Sequence, residues 1–102
     1  MEISEIEQLI EAVVENNLAR IKDLLQKGVD PNDYVDDELR PLHFAAQSNS
    51  VDAAQLLITA GADVNARTDP GQETALDIAK LHGHKQFVDF LTNHIYYTET
   101  QH

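Results

Sequence analysis

The 102 residues carry 18 Asp and Glu against 7 Lys and Arg, a formal charge of −11, with 42% hydrophobic residues and no cysteine. That balance argues against nucleic acid and anionic membranes as partners, since both are recognised through Lys and Arg, and zero cysteine excludes disulfides and thiolate catalysis. Apolar content is too high for a disordered chain, yet no run reaches the roughly 18 apolar residues of a membrane span.

At this length the expectation is one domain, residues 1–102, with a modest core. The acidic start MEISEIEQ lacks an apolar stretch and is not a signal peptide. Cytoplasmic residence is the default, with secretion without a cleaved signal left open.

In chain order, Ser4-Glu5-Ile6-Glu7 has the form of a capping box opening a helix that runs to about Glu15. A second helix, Leu18 to about Lys27, places Leu18, Ile21, Leu24 and Leu25 on one face. Residues 33–39, DYVDDEL, form an acidic turn. Helices from Pro41 to about Ser48 and from Val51 to Ala60 follow, the second burying Val51, Ala54, Leu57 and Ile58. Residues 67–73 carry Pro-Gly turn chemistry. Two further helices run from Ala75 to about Leu81 and from His84 to about Asn93, with Phe87, Val88, Phe90 and Leu91 inward. Lys85 and Thr92 take positions that are apolar in the earlier pairs, and residues 96–102 are expected to fray.

The pairs repeat. Leu9, Ala12, Asn16, Leu24, Gly28 and Asn32 recur 33 residues later as Leu42, Ala45, Asn49, Leu57, Gly61 and Asn65. Leu42, Ala45, Asn49 and Leu57 recur after 34 as Leu76, Ala79, Gly83 and Leu91. A fixed period of this size marks stacked units that cannot bury their apolar faces alone. Pro41 suits the first helical position, where its missing N–H costs nothing. Thr74 can cap the next first helix, whereas Arg40 cannot accept the hydrogen bond a cap requires. Asn16, Asn49 and Gly83 suit a left-handed helix end, as do Gly28 and Gly61 after the second helices.

The segments Arg40-Pro41-Leu42-His43-Phe44-Ala45-Ala46 and Gly61-Ala62-Asp63-Val64-Asn65 resemble the ankyrin repeat, echoed by Thr74-Ala75-Leu76-Asp77-Ile78-Ala79 and Gly28-Val29-Asp30-Pro31-Asn32. The resemblance implies an all-α solenoid of helix-turn-helix units joined by β-turn fingers. The units would be about 4–36, 37–69 and 70–94, with a tail at 95–102. It also implies structural roles for His43 and for the Gly83-His84 turn, and a partner-binding concave face.

Little in the chain points to chemistry. His82-Gly83-His84 supplies two potential ligands where a metal site needs more, and Asp36-Asp37-Glu38 lacks the Gly-punctuated calcium loop. No catalytic motif or phosphate loop appears, so no enzyme activity, cofactor or metal is expected. The positions left once the fold is satisfied form one strip: Tyr34, Asp36, Asp37, Leu39, Gln47, Ser48, Arg67, Asp69, Gln72, Leu81 and His82, with Glu73, Val14 and Glu15 beside them. Tyr34 and Leu39 among carboxylates resemble an anchor with a charged surround. The expected function is non-catalytic binding of another protein with a basic surface, by a monomer. Alternatives are a dedicated inhibitor, such as an immunity protein masking a basic site, and a secreted effector or scaffold.

Overall fold

The computed structural model describes residues 3–100, and the side chains of residues 3–95. Six α-helices form three antiparallel pairs: α1 (Glu5–Val14) with α2 (Leu18–Gln26), α3 (Pro41–Ser48) with α4 (Val51–Thr59), and α5 (Ala75–Leu81) with α6 (Lys85–Thr100). The first helices stack as α1, α3, α5 and the second as α2, α4, α6. The fold is all-helical, and between pairs the chain makes two projecting loops, residues 27–40 and 60–74, whose tips are called finger 1 (33–39) and finger 2 (67–73).

Apolar spacing decides which faces close. Leu9, Ala12, Val13, Ile21 and Leu24 of the first pair, Ala53, Ala54 and Leu57 of α4, and Phe87 and Leu91 of α6 are all buried. Ala45 and Ala46 are fully buried in α3, where small side chains let the neighbouring helices come close. Leu18, Leu25, Val51, Ile58, Val88 and Phe90 are partly covered and pack against this core. Ser4 caps α1 through a reciprocal box with Glu7, and Thr74 accepts from the Asp77 N–H at 3.2 Å to cap α5. Arg40 makes no side-chain cap, as its chemistry requires. Gly28 and Gly61 lie at φ +95° and +104°, the left-handed backbone that ends α2 and α4. Asn16, Asn49 and Gly83 do the same after the first helices, at φ 52°, 56° and 69°.

Polar side chains then lock each pair to the next. Asn16 Oδ1 accepts from the Ala53 N–H at 3.1 Å, in the first turn of α4. The Asn32 amide grips the following loop twice, donating to the Gly61 carbonyl at 3.0 Å and accepting from the Asp63 N–H at 2.8 Å. His84 Nδ1 bonds the Ala46 carbonyl at 2.9 Å, joining the last pair to α3. His43, 1% exposed, accepts from the Arg40 N–H at Nδ1 (3.0 Å) and donates from Nε2 to the Ala66 carbonyl (3.0 Å). One neutral tautomer satisfies both bonds. Burial holds the His43 pKa below its ordinary value, outweighing the opposing pull of the Ala66 carbonyl.

One expectation is corrected. The last helix does not stop near Asn93; α6 continues to Thr100. Residues 94–100 contain neither Gly nor Pro, so nothing resembling the Gly61 turn interrupts the helix. Gln101 and His102 lie outside the described residues.

Candidate partner-binding site

The fingers and the exposed ends of the first helices share one side of the stack. In finger 1 the Val35 N–H donates to the Leu39 carbonyl at 3.0 Å, closing an isolated antiparallel bridge around a 3₁₀ turn, Asp36–Glu38. Asp37 and Glu38 sit at positive φ, 64° and 55°, which turns the acidic tip sharply without a glycine. Tyr34 is 47% exposed, and the Arg40 guanidinium carbon lies 5.6 Å from its ring centroid. That cation–π contact covers one side of a ring that stays about half exposed.

Finger 2 is built around the buried Thr68. Its N–H donates to the Glu73 carbonyl (2.9 Å), its carbonyl accepts from the Gln72 N–H (2.8 Å) and its Oγ1 accepts from the Glu73 N–H (3.1 Å). Arg67 Nη1 donates to the Gln72 carbonyl at 2.8 Å. A single backbone bond joins the fingers: the Asp69 N–H donates to the Asp37 carbonyl at 2.9 Å.

Three grooves run along this side and share residues. A groove of about 690 Å³ is lined by Ser4, Ile6, Glu7, Tyr34, Val35, Asp36, Asp37, Glu38 and Asp69. It shares Asp37 and Asp69 with a groove of about 310 Å³ that extends to Leu39, Gln47, Glu73, Ile78, Leu81 and His82. At the other end it shares Glu7 and Val35 with a groove of about 350 Å³ over Ile3, Ile10, Glu11 and Phe44. Together they make one trough. The carboxylates of Glu7, Glu11, Asp36, Asp37, Glu38, Asp69 and Glu73 line it, and no Lys or Arg does. The ion pairs among the described residues, Arg20 with Glu11 and Glu15 and Lys27 with Asp23, leave the finger carboxylates unneutralised.

Of the strip anticipated from sequence, Tyr34, Asp36, Asp37, Leu39, Gln47, Asp69, Leu81 and His82 line this trough. Leu39 is half-buried and Leu81 is 74% exposed. Ser48, Arg67 and Gln72 are engaged by the protein's own framework, Ser48 donating to the Phe44 carbonyl at 2.9 Å. Val14 (49% exposed), Gln47 and Leu81 are 33 and 34 residues apart, one column of repeat positions along the first helices. Sequence reasoning omitted Ile3, Ile10, Glu38, Phe44 and Ile78 from the strip. Phe44 and Ile78 occupy equivalent repeat positions, 34 apart, and that register was the available signal.

Stacked helix pairs with projecting fingers and polar locks between neighbours define a helical-repeat solenoid. The chain belongs to the ankyrin-repeat family: a family model of ankyrin repeats in three copies matches residues 9–101. It is similar to the ARF GTPase-activating protein Git of Drosophila melanogaster, 36% identical over 90 residues, covering 87% of this chain and 12% of that protein. It is 34% identical over 88 residues to the putative ankyrin repeat protein FPV031 of fowlpox virus, covering 84% of this chain and 26% of that one. A 51-residue stretch is 51% identical to the probable E3 ubiquitin-protein ligase XBOS33 of Oryza sativa, 50% of this chain and 10% of that protein. The chain thus spans a small part of each relative. Ankyrin repeats are generally protein–protein interaction modules without catalytic activity, and no helix among the described residues is long and apolar enough to cross a membrane.

Proposed function

We propose that this chain is a non-catalytic binding module whose acidic trough docks a protein partner with a basic surface. The observation that carries the reading is the charge of the lining: seven acidic residues and no Lys or Arg among the residues that line the grooves, with only Glu11 of the seven paired, to Arg20. Complementary fields speed encounter and reject partners of like charge. Ile3, Tyr34 and Leu81 add exposed apolar area beside the acids, the mixture expected of a contact surface.

The test compares the wild-type chain with Asp36→Lys/Asp69→Lys as immobilised baits. Both positions are exposed and neither side chain carries a hydrogen bond the fold relies on. A partner retained by the wild type should be released by rising salt, and the charge-reversed bait should not retain it. A partner held equally by both baits, or indifferent to ionic strength, would sink the reading.

A further inference from the structure

The smaller groove has a composition that the charge of the trough does not by itself demand. Asp37, Asp69 and Glu73 supply carboxylates, while Leu39, Ile78 and Leu81 supply apolar surface between the fingers and α5. Ile78 is buried, whereas Leu81 stands 74% exposed at the end of the helix. Leu81 is thus apolar area open to a partner in the same groove as the three acidic residues. The Asp69 N–H to Asp37 carbonyl bond of 2.9 Å holds two of the acid-bearing backbones together. No ion pair among the described residues uses any of the three acids.

We propose that this groove receives an arginine side chain of the partner. The inference rests on the acidic-trough reading and narrows it to one residue type. At about 310 Å³ the space sits at the lower edge of the roughly 300–1,000 Å³ of ligand pockets, room for a side chain and not a folded element. A long basic side chain lays its methylene stem on apolar surface and keeps its charged head among polar groups. Leu39 and Leu81 take the stem; Asp37, Asp69 and Glu73 take the head. Arginine suits the site better than lysine. Its planar guanidinium offers five donors to several carboxylate oxygens at once, and it is more weakly hydrated than an ammonium, so it loses less on entering a partly apolar groove.

The experiment uses the full chain and a blocked peptide of glycine and serine with two flanking lysines and one central residue: arginine, lysine or citrulline. Affinity and the amide shifts of Asp37, Asp69 and Leu81 are read by NMR titration at low salt. The arginine peptide should bind about tenfold tighter than the lysine peptide, the scale of one charge-assisted hydrogen bond gained. Citrulline, which has nearly the same shape without the charge, should bind weakest. Leu81→Ser, an exposed position whose change leaves the core intact, should erase most of the arginine advantage. Equal binding of arginine and lysine peptides, unaffected by Leu81→Ser, overturns the arginine pocket and leaves the acidic trough standing. Failure of all three to bind, or equal binding of citrulline at any salt, overturns both.

Discussion

Two sets of polar residues in this chain are used in opposite ways. Asn16, Asn32, His43 and His84 each hold a backbone group of a neighbouring loop or helix, at 2.8 to 3.1 Å. Asp36, Asp37 and Asp69, on the fingers, bind no side chain of their own molecule among the described residues. A buried polar group left without its partner costs free energy, so the first set is constrained by folding. The second set remains hydrated and costs nothing to leave unpaired. A carboxylate with no structural task is available for an external one.

Substitutions can separate the two sets. Leu57 is fully buried in α4, so Leu57→Ala should lower unfolding free energy by about 2–5 kcal/mol, measured by urea denaturation. Removing the His43 imidazole leaves the Arg40 N–H and the Ala66 carbonyl without their partner, and His43→Ala should cost about 1–3 kcal/mol on the same scale. Arg40→Thr acts in the reverse direction. A threonine there gains the cap that Thr74 gives α5, worth about 0.5–2 kcal/mol, and releases the buried Arg40 Nε, which has no partner. It also frees the Tyr34 ring, and no rise in melting temperature would count against the capping register. Smallest of all, Asp36→Lys should change stability by no more than about 0.5 kcal/mol. A large loss there would mean that the finger carboxylates support the fold, and the contrast would collapse.

Acid gives a second way to break the contrast. The folded His43 pKa lies below the ordinary 6.5, so between the two values the unfolded chain binds more protons than the folded one. Its contribution is therefore complete above pH 6.5 and is lost as pH falls from there toward the lowered value. Burial is the chief cause of the lowered value, and protonation would also set an N–H against the Arg40 N–H. The Asp77 pKa is also lowered, chiefly by its bond from the Thr74 N–H, but from 3.8, so its contribution is lost at lower pH. Urea midpoints at pH 7.5 and 5 should differ more for the wild type than for His43→Gln. Equal differences would show that His43 does not titrate with unfolding.

The stack was legible because its causes are local and periodic. Leu9, Leu42 and Leu76, the glycines at 28 and 61, and the asparagines at 16 and 49 each follow from helix spacing or from a backbone that only some residues adopt. The trough was half legible. Tyr34, Asp36, Asp37, Leu81 and His82 could be assigned to it from repeat register, but nothing local foretold that Arg40 would lie over Tyr34. Nor did the sequence foretell that Asp69 would bond to Asp37, or that Ser48 and Arg67 would turn to their own backbone. These contacts depend on how the fingers fold, and Asp37, Glu38 and Gln72 reach positive φ without the glycine that usually announces it. The length of α6 departs from the period for the opposite reason: the repeat would end the helix near Asn93, but residues 94–100 hold no Gly or Pro to stop it.

The bond between the Asp69 N–H and the Asp37 carbonyl bears on thermodynamics as well as shape. Two loops tied at their tips surrender much of their freedom before any guest arrives, so little configurational entropy remains to be lost on docking. Calorimetry of such an association should find a small ordering penalty, and tighter binders should differ from weaker ones mainly in how slowly they leave.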